Sequence, residues 1–375
     1  MRVLYVNDAL AIWGGLERVL VDKMNGLSRL PGFEVCLLTA NQGEHPFPFP
    51  LDPQVMFKDL NINFHQRYRY RGIRRIWMQH QLVRLFRKRL LDQLKTIHPD
   101  VIVCARPELV SSIVKVKGQI PLVFESHTTR YGYRYEGMKP WTKMSAVVGR
   151  RSVKHADMIV ALTEGDAADW RKFCPHVCVI PNIVHLNNSG LYSSCQSRTA
   201  LFVGRFSRQK DIGSLIRVWT IVHQRHPDWL LHLYCGYGEE QNALLRQIEQ
   251  AGCGMVVHEP ASELSEQYRN ASMLLLSSVY EPFGLVLPEA MSFGLPVLAF
   301  DCPFGPSDII SDGVDGFLVK NRDETDYANK VCMLIEQEEL RLKMGRAGIR
   351  SSQRYAAARI LPMWEALFER LAKKD

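Results

Sequence analysis

The chain has 375 residues, 46% of them hydrophobic and 23% charged, with a formal net charge of +8. That composition excludes a disordered or fibrous protein, and the length favours two domains over one. The nine cysteines are scattered without a Cys-x-x-Cys pair, which fits a reduced compartment and argues against a disulfide framework.

The chain opens on an apolar run at 2–6, a Gly14-Gly15 turn, and then apolar residues at helical spacing over 16–30. The start lacks the pattern of a secretion signal, and no run of about 18 apolar residues occurs, so a cytoplasmic chain without a spanning helix is expected. Further short apolar runs at 34–40, 99–105, 121–126, 156–162 and 177–182 read as strands. Strands alternating with helices predict a mostly parallel sheet covered by helices on both faces.

Residues 184–198 are polar and rich in Ser and Asn, and read as a linker. The alternation then restarts, with strands at 199–204, 230–236, 255–259, 273–278 and 296–300 and helices between them. A long helix with an internal Pro362 ends the chain. The predicted division is a first domain over 1–190, a second over 191–354, and a terminal helix over 355–375. Charge divides the same way. Residues 1–190 carry 27 Lys+Arg against 16 Asp+Glu, and residues 191–375 carry 20 against 23. Such asymmetry suggests different partners for the two halves.

Chemistry concentrates at a few loops. In the segment 277–300, Glu281 and Glu289 stand eight positions apart in apolar surroundings. A strand ends near Ser277, and a helix is predicted from near Gly284 to Gly294. That puts the backbone N–H groups of Phe283, Gly284 and Leu285 at a helix N-terminus beyond the carboxyl end of a parallel strand, a usual place for ligands. Carboxylates there suit sugar and ribose hydroxyls, which donate charge-assisted hydrogen bonds. A capping glutamate plus a solvated one is the competing reading. In 202–211, Gly204 and Arg205 follow a strand and Lys210 precedes a helix. Two cations beside a glycine can neutralise a diphosphate, or can be scattered surface charge. Gly14-Gly15 is either an anion nest or a simple tight turn, and is not a Gly-x-Gly-x-x-Gly fingerprint. His127, in 124–130, follows an apolar strand; it is either structural or a group at a sheet mouth. Cys174 and Cys178 lack a second pair, so zinc is not predicted.

These residues resemble a known family. "EPFGLVLPE" resembles the Glu-x7-Glu motif of retaining GT-B glycosyltransferases of family 4. "VGRFSRQK" is similar to that family's donor loop, "GGLER" to its N-terminal glycine loop, and "VIPN" to its lead into the interdomain segment. The resemblance implies an α/β GT-B fold, with two Rossmann-like doubly wound domains facing a central cleft. The first would bind acceptor and the second the nucleotide sugar, with the terminal helix crossing back onto the first. It further implies that Arg205 and Lys210, beside Gly204, hold the nucleotide diphosphate. Glu289 would bind ribose hydroxyls and Glu281 hydroxyls of the donor sugar, with the Phe283, Gly284 and Leu285 amides near sugar and phosphate. His127 would lie at the C6 side of that sugar, and Gly15 would let its loop approach phosphates and acceptor.

A front-face substitution with retention is expected, in which the leaving phosphate takes the acceptor's proton. No Asp-x-Asp occurs, so neither a metal nor another cofactor is expected. Proline-glycine loops like the one at 301–310 occur in relatives that use UDP-hexose or UDP-N-acetylhexosamine, which favours UDP. A GDP-mannose-dependent enzyme and a sugar-nucleotide epimerase are the alternatives. Residues 67–90 hold nine Lys+Arg and no acid, with Tyr68, Tyr70, Trp77 and Phe86 interleaved. Ile73, Ile76, Trp77, Val83 and Phe86 are expected to form one apolar stripe of a basic helix on an anionic membrane surface, with a glycan or lipid-linked glycan as acceptor. The chain would then sit peripherally on the inner face of the plasma membrane. A helix packed on the core and a nucleic-acid surface are the rival readings, of which nucleic acid is not favoured.

Overall fold

The computed structural model describes residues 1–129, 151–261 and 263–373. Arg130 of the 124–130 motif and the last two residues of the expected terminal helix lie outside them. The chain divides into two compact units. The first comprises residues 1–162, 167–183 and 357–375, and the second 163–166 and 184–356.

Among the described residues, the first unit carries a seven-stranded parallel sheet in the order β3-β2-β1-β4-β5-β6-β7. Its strands are β1 (Arg2–Asn7), β2 (Glu34–Thr39), β3 (Met56–Asp59), β4 (Val101–Cys104), β5 (Leu122–Ser126), β6 (Met158–Ala161) and β7 (Val177–Val179). Helices α1 (Gly15–Ser28), α2 (Gly72–Ile97), α3 (Pro107–Val114) and α4 (Glu164–Arg171) connect them. The sequence reading has no β3: its Met-Phe-Lys-Asp pattern is mostly exposed and lacks a buried apolar run.

The second unit repeats the plan with β8 (Thr199–Arg205), β9 (Leu230–Gly236), β10 (Met255–His258), β11 (Met273–Leu276), β12 (Val297–Asp301) and β13 (Gly316–Lys320). The order is β10-β9-β8-β11-β12-β13, again parallel. Its helices are α5 (Ile212–Arg225), α6 (Gln241–Ala251), α7 (Ser265–Arg269), α8 (Val286–Ser292), α9 (Gly305–Ile309), α10 (Glu324–Glu336) and α11 (Glu338–Ser352). The final helix, α12 (Ala357–Ala372), belongs to the first unit, where Ile360, Trp364 and Phe368 join the core under α1. Central strands such as Met273–Leu276 are buried throughout, as expected of a sheet covered on both faces.

In each sheet the strand order reverses at one place: between β1 and β4 in the first unit, and between β8 and β11 in the second. Open α/β sheets bind ligands beyond the carboxyl ends of the strands at such a switch point.

Two expectations change. The boundary falls at 183/184, not 190/191, because the polar segment packs on the second unit. Val184 N–H donates to the Tyr355 carbonyl at 3.0 Å, and Ser193 N–H to that of Phe293 at 2.8 Å. Asn187 N–H donates to Ser292 Oγ at 3.0 Å. Ser193 Oγ donates to the Ala271 carbonyl and Ser197 Oγ meets Ser272 Oγ at 3.2 Å, so part of this polar segment pairs with a folded surface, while Asn188, Ser189 and Ser194 stay exposed. The second change concerns α2. The apolar residues do not share one stripe, because Leu82, Phe86, Leu90 and Leu94 form the buried face. Ile73, Ile76 and Trp77 stand in the first two turns, at 85%, 58% and 59% exposure, beyond the part of α2 that the core covers. No helix among the described residues is long and apolar enough to cross a membrane.

Candidate functional site

The loops leaving β8 and β11 flank the switch point of the second unit, and the predicted donor residues lie on them. Arg205 closes β8 and is exposed. The following turn is fixed by Lys210 N–H donating to the Ser207 carbonyl at 3.0 Å, and Asp211 then caps α5 by accepting from Ser214 N–H. The two loops are laced together. Ser277 Oγ donates to the Lys210 carbonyl at 2.8 Å, and Val279 N–H to the Gln209 carbonyl at 2.8 Å. Gly204 is needed for closeness: a Cβ there would lie 3.0 Å from the Phe202 ring and 3.4 Å from Lys210 Cγ.

This lacing brings Lys210 Nζ to 2.7 Å from Glu281 Oε2. The same oxygen accepts from Ser278 Oγ at 2.9 Å. Glu281 is 7% exposed, so the carboxylate is stable there only because it is paired. Oε1 has no hydrogen-bond partner among the described residues and is left to accept from a ligand. Sequence reasoning left Glu281 without a partner inside the protein. Ser278, three residues earlier, was within its reach; Lys210, seventy-one residues away, was not.

The backbone of Glu281 is also held. Its N–H donates to the Pro303 carbonyl at 2.6 Å, and its carbonyl accepts from Phe304 N–H at 3.0 Å and Gly305 N–H at 2.8 Å. The 301–310 loop therefore braces the glutamate. Gly305 makes the approach possible, since a Cβ would sit 2.0 Å from the Phe283 carbonyl oxygen. Gly305→Ala is expected to destabilise the protein by about 2–3 kcal/mol and to lower activity further by shifting Glu281. Denaturant unfolding and a rate measurement on the folded variant check this; wild-type stability would show that the loop yields freely.

Helix α8 starts at Val286, two residues later than expected, because Gly284 takes φ +95°, outside helical space. The Phe283, Gly284 and Leu285 amides therefore belong to the turn before the helix. Glu289 is on α8, accepting from Tyr268 OH at 3.2 Å. Tyr268 is thus a partner of Glu289 that sequence reasoning missed.

In the first unit, Gly15 opens α1 and is exposed. The space over Gly14 is taken by the Glu17 carboxylate, since a Cβ on Gly14 would lie 2.6 Å from Glu17 Oε2. Glu17 is buried in the first turn of the helix, 3.4 Å from Arg106 Nη2, and Arg106 Nε donates to Asn7 Oδ1 at 3.1 Å. Those groups lie at the β1–β4 switch point. His127 follows β5, with Nε2 2.8 Å from Glu125 Oε2, and Lys23 Nζ pairs with Glu125 Oε1. Cys174 is buried, and no group of three His, Cys, Asp or Glu side chains among the described residues is placed to hold a metal.

A paired cation and carboxylate thus lie at the carboxyl edge of a doubly wound sheet, where open α/β sheets bind ligands. Comparisons with known proteins give the class. Residues 13–188 match the model described as Glycosyltransferase Family 4, and residues 194–351 that of Glycosyl transferases group 1. The chain is a GT-B glycosyltransferase of the family 4 type. It is 28% identical over 377 residues to the amylovoran biosynthesis glycosyltransferase AmsD of Erwinia amylovora, covering 97% of this chain and 98% of that one. Its fold is similar to that of a mutant of S. aureus TarM in complex with Fondaparinux, alpha-GlcNAc-glycerol and UDP. The TM-score is 0.79 at 14% identity, over 98% of this chain and 99% of that one. It is also similar to that of the lipopolysaccharide outer core galactosyltransferase WaaB, with a TM-score of 0.73 at 16% identity, over 99% of this chain and 100% of that one.

Proposed function

We propose that the chain moves a hexose or N-acetylhexosamine, with retention of configuration and without a metal, from a UDP-sugar to a lipid-linked glycan in cell-surface polysaccharide synthesis. The observation that carries this is the Lys210–Glu281 pair with Ser278. One group is a cation for a diphosphate, and the other keeps an oxygen for sugar hydroxyls. Arg205 adds a second cation at the end of β8. Glu289 suits ribose hydroxyls, and the Phe283, Gly284 and Leu285 amides suit phosphate or sugar oxygens. In the first unit, taken by itself, His127 and the Gly15 loop are read as groups for sugar and acceptor, as the family resemblance implies. In this reading Arg205 and Lys210 stabilise charge that develops on the leaving diphosphate, and that phosphate accepts the proton of the attacking hydroxyl. The UDP in the TarM complex and the names of AmsD and WaaB support the choice of donor and acceptor class.

The test is a panel of UDP- and GDP-sugars, with and without lipid-linked acceptors, followed by nucleotide diphosphate release in EDTA. Release that requires acceptor and UDP-sugar is expected. Release with GDP-mannose alone among donors would favour the mannosyltransferase, and conversion of the donor without acceptor an epimerase.

The membrane part rests on the start of α2. Arg67 and Arg75 each stack on Tyr68 with the guanidinium carbon 4.8 Å from the ring centroid, beside exposed Ile73, Ile76 and Trp77. Exposed aromatic and aliphatic groups ringed by arginine suit an anionic bilayer surface, at about 1 kcal/mol per basic residue. Sedimentation with phosphatidylglycerol vesicles is expected, and Ile73→Ser/Trp77→Ser should weaken it at least ~10-fold, since each removes buried apolar area. Equal binding to neutral vesicles at all salt concentrations would remove the electrostatic part.

A further inference from the structure

The first unit buries a lysine and a glutamate together. Lys23 on α1 is 2% exposed and Glu125 on β5 is 1% exposed. Lys23 Nζ also lies 4.0 Å from the centroid of Trp364 on α12 and 5.5 Å from that of Tyr5 on β1. Taking both charges out of water is costly, and an apolar pair of the same volume is often as stable or more so. Stability therefore does not account for the pair. What an apolar pair could not do is use the second carboxylate oxygen, and Oε2 is spent on His127.

That contact has a chemical consequence. A carboxylate only accepts hydrogen bonds, so a neutral imidazole facing it carries its proton on Nε2. Nδ1 is then an acceptor, and it has no partner among the described residues. Burial would raise the Glu125 pKa, but the charge of Lys23 and the contact with His127 bring it below the usual range, so the group is ionised near neutrality. Burial lowers the Lys23 pKa, with Glu125 opposing. The third titratable group against the cluster, Tyr5, is pushed well up by burial and by the Glu125 charge, and stays neutral.

We propose that Glu125 and Lys23 are positioning residues for His127: Glu125 fixes the Nε2–H tautomer, Lys23 holds Glu125 in place as a carboxylate, and Nδ1 accepts a hydrogen bond from a hydroxyl of the sugar substrate. The last part rests on the transferase reading above; the tautomer does not. Neither residue touches the substrate. Both act through the imidazole.

The test has two readouts on the full chain. Long-range proton–nitrogen correlation of histidine-labelled protein, with His127→Asn to assign the ring, reads the tautomer without substrate. Nε2–H is expected, and Nδ1–H would overturn the proposal. Kinetics then separate positioning from packing. Glu125→Gln alone strands Lys23, so the informative variant is Lys23→Met/Glu125→Gln, which removes both buried charges. It should unfold within a few degrees of wild type and keep its donor KM within about threefold. Its kcat should fall about 10- to 100-fold, by analogy with outer carboxylates that orient metal-bound imidazoles. A double variant with wild-type kcat would show that the pair serves packing only, and the proposal would fall. Should the double variant not fold, the wild-type tautomer still decides. A wild-type enzyme that releases no nucleotide from any donor would count against the transferase reading, and the spectrum distinguishes that failure from this one.

Discussion

Arg205→Ala is expected to lower kcat/KM for the nucleotide sugar by about 10²–10³-fold, the scale for losing one group that stabilises developing charge. Stability should be unchanged, because Arg205 is exposed at the end of β8 and has no carboxylate partner among the described residues. Lys210→Ala should do more. Its ammonium is largely buried against Glu281, with side chains 14% and 9% exposed. Removing it strands a buried carboxylate where the diphosphate is expected to bind, and that costs about 3 kcal/mol of stability besides the lost activity. Lys210→Met/Glu281→Gln should regain most of the stability and none of the rate. Steady-state kinetics on each variant, paired with denaturant unfolding, distinguish the two effects. An Arg205→Ala enzyme with wild-type kcat/KM would show that the cationic half of the site lies elsewhere.

Most of the strand pattern was legible because each buried strand is a short run of Val, Ile and Leu bounded by turn residues. Two strands were not: the four residues of β3 carry no such run, and that of β13 is only the three residues Phe317, Leu318 and Val319. The candidate site was legible as separate loops, because Gly204, Arg205, Lys210, Glu281 and Glu289 each follow a strand end or start a helix. What joins them was not. The Lys210–Glu281 pair depends on β8 and β11 being neighbours, a fact of sheet order that no local spacing encodes. Lys23 carried a readable signal that went unread. It sits at helical spacing between Val19, Leu20 and Leu27, on the face of α1 that is buried. A lysine there, and a glutamate inside Leu122–Ser126, require a partner on physical grounds alone. The stripe of α2 failed for a different reason. Trp77 lies nine residues before Phe86, about half a turn round the helix from it, and Ile73 and Ile76 stand in the first turns, which the core does not cover; apolar composition alone says neither which face nor which length of a helix is buried.

The second large effect separates two mechanisms. Glu281→Gln is expected to lose about 10–100-fold in kcat/KM, because the amide still contacts hydroxyls and the charge-assisted share, roughly half the strength of each bond, is gone. The wild-type enzyme should give no covalent glycosyl-enzyme in intact-mass measurement, and azide added to the variant should produce no glycosyl azide. A carboxylate nucleophile would behave otherwise: its removal halts turnover, and a small anion takes its place with inverted product. The geometry favours the first outcome. Only Oε1 is open to a ligand, and the bonds that Oε2 accepts from Lys210 and Ser278 draw charge from the carboxylate as a whole, which weakens it as a nucleophile. The backbone is tied to Pro303, Phe304 and Gly305, which leaves little room to advance on an anomeric carbon. A glycosylated peptide containing Glu281, or an azide-rescued product, would make the glutamate a nucleophile and replace front-face substitution with double displacement.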